Sequence, residues 1–217
     1  MKKNIRILPA ILTDDPQALE KMVRQTEDFT DYAQFDIMDG QFVPSRSVSC
    51  EQIAALKTTL NWEAHLMVLH PESCLEDFTR AGAQQITFHF EATSLPEDIL
   101  TQIKRLDLKA GLAINPETPI TAFTHLIDKL DSVLFLSVNP GFYGSKFIPE
   151  VMEKIIDFRR SYPEIEIAVD GGIKEGNITQ VAATGVDIIC VGSAILAQPD
   201  PASSYRRLIE LVKATGE

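Results

Sequence analysis

Two segments of this chain end an apolar run on a carboxylate beside glycine: Gln34-Phe35-Asp36-Ile37-Met38-Asp39-Gly40 and Val169-Asp170-Gly171-Gly172. Alternate residues of a strand share a face, so Gln34 and Asp36 point the same way, and a turn at Asp39-Gly40 puts them near the strand's mouth. Two opposed carboxylates suit proton exchange at carbon. One removes a proton from one face, the other returns a proton to the opposite face, and a stereocentre inverts if the anionic intermediate is stabilised. A lone Asp at a turn more often caps a helix or pairs with a lysine. Two of them beside glycine-rich turns shift the balance toward function.

His65, in Ala64-His65-Leu66-Met67, is polar inside an apolar run. Alone it reads as a hydrogen-bonded core histidine. If it converges with Asp36 and Asp170, the three form an N,O,O set able to hold a divalent cation that polarises a substrate oxygen. His89, Glu91, Asn115 and Asn139 also stand at the ends of apolar runs. The loop Asn139-Pro140-Gly141-Phe142-Tyr143-Gly144-Ser145-Lys146, with Gly171-Gly172 and Gly192-Ser193, offers glycine backbone to an oxyanion. Any one of these is satisfied by a tight turn alone. Three at one rim predict a phosphate cradle, with Gly141, Phe142, Tyr143, Gly144, Gly171, Gly172, Gly192 and Ser193 as substrate-binding candidates beside His65. Met38, Met67 and Leu136 read as core residues that also line the cavity around the reacting carbon.

These residues need a frame that brings distant strand ends together. Eight apolar runs are present: Ile5-Leu12, Ala33-Met38, Trp62-Val68, Gln85-Phe90, Leu108-Ile114, Ser132-Val138, Ile165-Val169 and Asp187-Val191. Amphipathic segments separate them and one more closes the chain, with Asp15-Pro16, Leu95-Pro96 and Thr118-Pro119 placing proline at helix starts. Strand-helix alternation of this kind predicts an α/β fold, a (β/α)8 TIM barrel in one domain over residues 1–217. An open doubly wound sheet is the runner-up, but no G-x-G-x-x-G follows the first run. In a barrel, groups at the C-terminal ends of strands carry the chemistry.

Composition narrows the partners. The chain has 217 residues, 45% of them hydrophobic, enough for one substantial core. A net charge of -11 and a pI near 4.8 disfavour nucleic acid and anionic membranes. Cys50, Cys74 and Cys190 are odd in number and widely spaced, which predicts a reducing, cytoplasmic setting without structural zinc. Arg6, Pro9 and Asp14-Asp15 interrupt the signal-peptide-like start, and no apolar stretch is long enough to span a bilayer.

Ile37-Met38-Asp39-Gly40-Gln41-Phe42-Val43-Pro44, Ala64-His65-Leu66-Met67, Ser137-Val138-Asn139-Pro140-Gly141-Phe142 and Val169-Asp170-Gly171-Gly172-Ile173 together resemble ribulose-phosphate 3-epimerase. Leu8-Pro9-Ala10-Ile11-Leu12 and Val191-Gly192-Ser193-Ala194-Ile195 extend the likeness nearly end to end. The resemblance implies a (β/α)8 barrel, usually a homo-oligomer, that interconverts D-ribulose 5-phosphate and D-xylulose 5-phosphate through an enediolate. It places Asp36 and Asp170 as the two proton-transfer acids. It further implies a divalent metal, Zn, Fe, Mn or Mg, held by His, Asp, His and Asp; Asp36, His65 and Asp170 match three of these.

The fourth ligand would be a histidine where this chain has Gln34. Other departures are Ala10 for a serine, Gln41 for a histidine, Ser45 for an asparagine, Leu136 for a methionine and Tyr143 for a glycine. Trading imidazole nitrogen for a hard, weak amide oxygen predicts weaker zinc or iron binding, a shift toward Mg or Mn, or loss of the metal with Gln34 donating to a substrate oxygen. The alternatives are an epimerase of a related ketose phosphate such as allulose 6-phosphate, and a noncatalytic sugar-phosphate-binding paralogue.

Overall fold

The computed structural model describes residues 4–141 and 145–215. Eight parallel strands close on themselves in chain order: β1 (Arg6–Ile11), β2 (Tyr32–Met38), β3 (Asn61–Met67), β4 (Gln85–His89), β5 (Lys109–Ile114), β6 (Ser132–Leu136), β7 (Glu166–Asp170) and β8 (Ile188–Val191). Each lies within two residues of its apolar run, and β8 pairs back onto β1. The fold is the expected (β/α)8 barrel.

The helices are α1 (Pro16–Glu27), α2 (Cys50–Ala54), α3 (Leu75–Ala81), α4 (Pro96–Arg105), α5 (Val151–Ser161), α6 (Ile178–Ala182), α7 (Ser193–Leu196) and α8 (Pro201–Ala214). Their starts follow from the sequence. Asp15 accepts from the Gln17 N–H ahead of Pro16, Ser49 and Gln52 form a capping box, and Asp200 accepts from Ser203 ahead of Pro201. One helix expected from the alternation is missing: between β5 and β6 the chain makes 3-10 turns over Ile120–Ala122 and Thr124–Lys129. That segment carries Ile120, Thr121 and Thr124, β-branched residues that crowd a helical turn, and neither 3-10 turn has a side-chain cap.

Strand alternation divides two environments. Odd-numbered β2 residues such as Phe35 and Ile37 join the large core between strands and helices. Even-numbered ones, Gln34 and Asp36, turn into the barrel with Glu63, His65, Gln85, Thr87 and Ser132, all buried. Ala10, Ala113, Leu134 and Ala168 pack a smaller apolar cluster inside. Among the described residues no helix is long and apolar enough to cross a membrane.

The loop feeding β3 is fastened by Glu27 at the end of α1. Its carboxylate accepts from the Thr58 hydroxyl and the Thr59 N–H at 2.8 Å each, and from Arg24 at 2.8 Å. Burial opposes the charge, but the Thr59 N–H, Arg24 and Thr58 outweigh it and hold the Glu27 carboxyl down at about 2. A folded-state value below the unfolded one stabilises the protein above about pH 4.5, and that stability is lost as pH falls through the folded value. Glu27→Gln is therefore expected to lower unfolding stability by about 1–2 kcal/mol at pH 7. In urea melts against pH, the gap to the parent protein closes between about 4.5 and 2; a gap that persists unchanged below that window would rule out this linkage.

Candidate active site

The polar groups meet at the C-terminal mouth of the barrel. A cavity of about 220 Å³ is lined by Asp36, His65, Asp170, Gly141, Gly171, Gly172, Gly192 and Ser193, with Met38, Met67, Leu136 and Ala10 as its apolar wall. Most of the substrate-binding candidates thus share one cavity, while Phe142, Tyr143 and Gly144 lie outside the described residues. Gln41 is exposed and is not among the lining residues. Ser45 donates to the Gly141 carbonyl at 2.6 Å and fastens the loop after β2 to the loop after β6.

Backbone pairing sets the acids. Asp36 is in register with His65 across β2 and β3, and Asp170 with Cys190 across β7 and β8. Asp36 is 6% exposed and the Asp170 side chain 13%. Ser137 holds the Asp170 backbone, its N–H donating to the Asp170 carbonyl at 2.7 Å and its hydroxyl reaching the Asp170 and Gly171 carbonyls. Asp39, by contrast, builds the turn: it accepts from the Gln41, Phe42 and Leu69 N–H groups, which overcome burial and lower its pKa.

Gln34 is the centre of the arrangement. Its Nε2 donates to Asp36 Oδ1 at 2.9 Å and to Asp170 Oδ2 at 2.9 Å. The Cys190 thiol donates to its Oε1 at 3.2 Å. An ionised carboxylate only accepts and a thiol donates, so these partners decide which end of the amide faces the acids. Both N–H bonds go to carboxylates. Burial, then the like charge of Asp36, lifts the Asp170 carboxyl above the ordinary carboxylate range.

A histidine pair lies behind the acids. His65 Nδ1 is 2.9 Å from Asp36 Oδ1, and His65 Nε2 is 3.0 Å from His89 Nε2. Burial works against an imidazolium at His65, but the Asp36 hydrogen bond and the charges of Asp36, Asp170 and Glu63 raise its pKa overall. His89 goes the other way, lowered to about 4 chiefly by burial. If His65 donates to Asp36, His89 donates to His65, and His89 Nδ1 is left without hydrogen. That atom and Glu91 Oε2, 3.4 Å apart, are buried without a hydrogen-bond partner.

The donor set can be tested for a divalent cation. Asp36, His65 and Asp170 present ligand atoms all within 4.8 Å of one another, and an N,O,O set suits such an ion. The orphaned pair calls for a His65 proton on Nε2, which a ligand-bearing His65 and an imidazolium both carry. A His65 that offers the Nδ1 lone pair as ligand keeps its proton on Nε2, donates to His89, and lets His89 Nδ1–H meet Glu91. Gln34 does not fit as the fourth ligand in the arrangement it adopts, because an amide NH2 group donates. Cys190 belongs to no motif, although its even strand parity sets it beside Asp170. The sequence marks His89 and Glu91 only as ends of apolar runs.

Fold and mouth geometry together define a (β/α)8 barrel enzyme with an acidic, ligand-sized pocket. The pattern of the Ribulose-phosphate 3 epimerase family matches residues 6–196, and the chain belongs to that family, an isomerase class. It is 38% identical over 220 residues to ribulose-phosphate 3-epimerase of Escherichia coli strain K12, covering 98% of this chain and 96% of that protein. Identity is 37% to ribulose-phosphate 3-epimerase of Synechocystis sp., with 94% and 93% covered. Among solved structures, 3-hexulose-6-phosphate synthase from Salmonella typhimurium superposes with a TM-score of 0.74 at 18% identity, covering 97% of this chain and 100% of that one. Orotidine 5'-phosphate decarboxylase from Pyrococcus horikoshii gives 0.68 at 18% identity, covering 95% and 99%. These two share the fold.

The turn after Asp170 is built for glycine. Gly171 has φ +110, and a Cβ there would sit 2.5 Å from Val138 Cγ2. Gly171→Ala is expected to lose about 1–3 kcal/mol in urea unfolding. Adding Val138→Ala should recover only the steric part, because the left-handed backbone remains strained. Full recovery would mean that the clash alone demands glycine.

Proposed function

We propose that this protein interconverts D-ribulose 5-phosphate and D-xylulose 5-phosphate by proton transfer at C3 between Asp36 and Asp170. The observation that carries the reading is the pair itself: two buried carboxyls from β2 and β7, tied to one amide at the floor of a pocket rimmed by glycine turns.

The chain's own groups divide the work. Burial, then the charge of Asp36, lifts the Asp170 carboxyl above the ordinary carboxylate range, which makes Asp170 the holder of the proton. Ionised Asp36 then removes the C3 proton while protonated Asp170 delivers one to the opposite face; the reverse reaction exchanges the roles. Removal leaves an enediolate. A divalent cation, Zn, Fe, Mn or Mg, on Asp36, His65 and Asp170 would supply positive charge beside its oxygens, bound more weakly than in a four-ligand site because Gln34 shares the same carboxylates. Met38, Met67 and Leu136 exclude water from the reacting carbon. Gly171 and Gly172 lie in the loop after β7, and Gly192 and Ser193 at the start of α7 after β8, the usual phosphate position in barrels of this kind.

Asp36→Asn and Asp170→Asn each remove one proton-transfer group and leave the side-chain volume. Each is expected to cut epimerisation, followed as ribulose 5-phosphate turning into xylulose 5-phosphate, by roughly 10²–10⁴-fold. Near-parental rates in either variant would contradict the assignment, and faster turnover of a six-carbon ketose 6-phosphate by the parent protein would redirect the substrate.

A further inference from the structure

The carboxamide of Gln34 is wholly buried and every polar group on it is matched. Its two N–H bonds go to Asp36 and Asp170, and its oxygen accepts from Cys190. Turning Oε1 toward a cation would break all three contacts and, until the ion arrived, aim an acceptor at two acceptors. The donor that resists this turn is Cys190, wholly within the barrel on β8 and in register with Asp170. A cation between two carboxylates would draw them together by charge. The NH2 group draws them together by hydrogen bonds and lies among the same oxygens.

We propose that Gln34 is a hydrogen-bond surrogate for a cation: its NH2 group clamps Asp36 to Asp170 and competes with metal for their oxygens. Cys190 is the positioning residue that keeps the carboxamide that way round. Gln34 acts on the acids, not on the substrate, so it also is a positioning residue. The clamp stands on geometry, and only its consequence for turnover rests on the epimerase reading.

The sign of a metal affinity separates competitor from ligand. Mn²⁺ is titrated into the chelator-stripped full chain, with free ion followed by its EPR signal. Gln34→Ala deletes a potential ligand, yet the clamp requires it to bind Mn²⁺ more tightly than the parent, by roughly a hundredfold or more for two lost charge-assisted hydrogen bonds. Gln34→His should be tighter again. Cys190→Ala, which frees the amide to turn, should move in the same direction and decides the matter if Gln34→Ala fails to fold. Equal or weaker Mn²⁺ binding by Gln34→Ala makes Gln34 a ligand or a bystander and overturns the clamp; unchanged affinity in Cys190→Ala overturns the orienting role. For turnover, chelated parent protein should keep epimerising while Gln34→His becomes chelator-sensitive. Loss of parent activity on chelation, restored by Mn²⁺, overturns the surrogate. Inactivity of every variant with the Mn²⁺ order intact defeats the epimerase reading and leaves the clamp standing.

Discussion

Two carboxylates buried side by side repel unless something lies between them. With oxygens within 4.8 Å of each other, two full charges cost at least roughly 3.5 kcal/mol at an effective dielectric of about 20. This constraint organises the mouth of the barrel. Burial, and after it the like charge of Asp36, lifts Asp170 above the ordinary carboxylate range, so a proton held there relieves part of the repulsion. The Gln34 NH2 group relieves more by donating to both acids at once. The same pressure makes the site a candidate for a cation, so the chemistry that suits proton transfer and the chemistry that suits a metal come from one electrostatic problem.

The barrel keeps that problem away from the parts that make it stable. Strand alternation sends Phe35, Ile37, Phe88 and Phe135 outward to the helices, where the large core lies. It sends Gln34, Asp36, His65 and Thr87 inward, and these are buried too. Burying so many polar groups demands partners. Gln85 supplies some, donating to Thr87 and Ser132, and the His65–His89 contact supplies others. Where the partners run out, at His89 Nδ1 and Glu91 Oε2, the imbalance calls for a proton on His65 Nε2, carried by a ligand-bearing His65 or by an imidazolium. β7 and β2 are separated by β8 and β1, so closure of the ring is what brings Asp170 to Asp36.

Much of this was legible in the sequence because a parallel barrel writes itself as short apolar runs ending in polar residues. All eight strands and the convergence of Asp36, His65 and Asp170 could be read that way. The 3-10 turns between β5 and β6 could not: a proline start and an alternation pattern do not reveal an uncapped segment whose β-branched residues crowd a helical turn. Nor could the direction of the Gln34 amide. That depends on Cys190, 156 residues away, and a thiol in an apolar run gives no sign that it donates to anything. The role of Ser137 was hidden for a similar reason, since it acts on backbone carbonyls across a strand pair.

If one acid removes the C3 proton and the other delivers a different one, deuterium labelling shows it: ribulose 5-phosphate is converted in deuterium oxide and both sugars are examined by NMR before equilibrium. Two-acid transfer predicts one deuterium at C3 of each xylulose 5-phosphate formed, with the unreacted ribulose 5-phosphate still carrying its C3 hydrogen. Xylulose 5-phosphate that retains the original C3 hydrogen, or label that enters at another carbon, would contradict it.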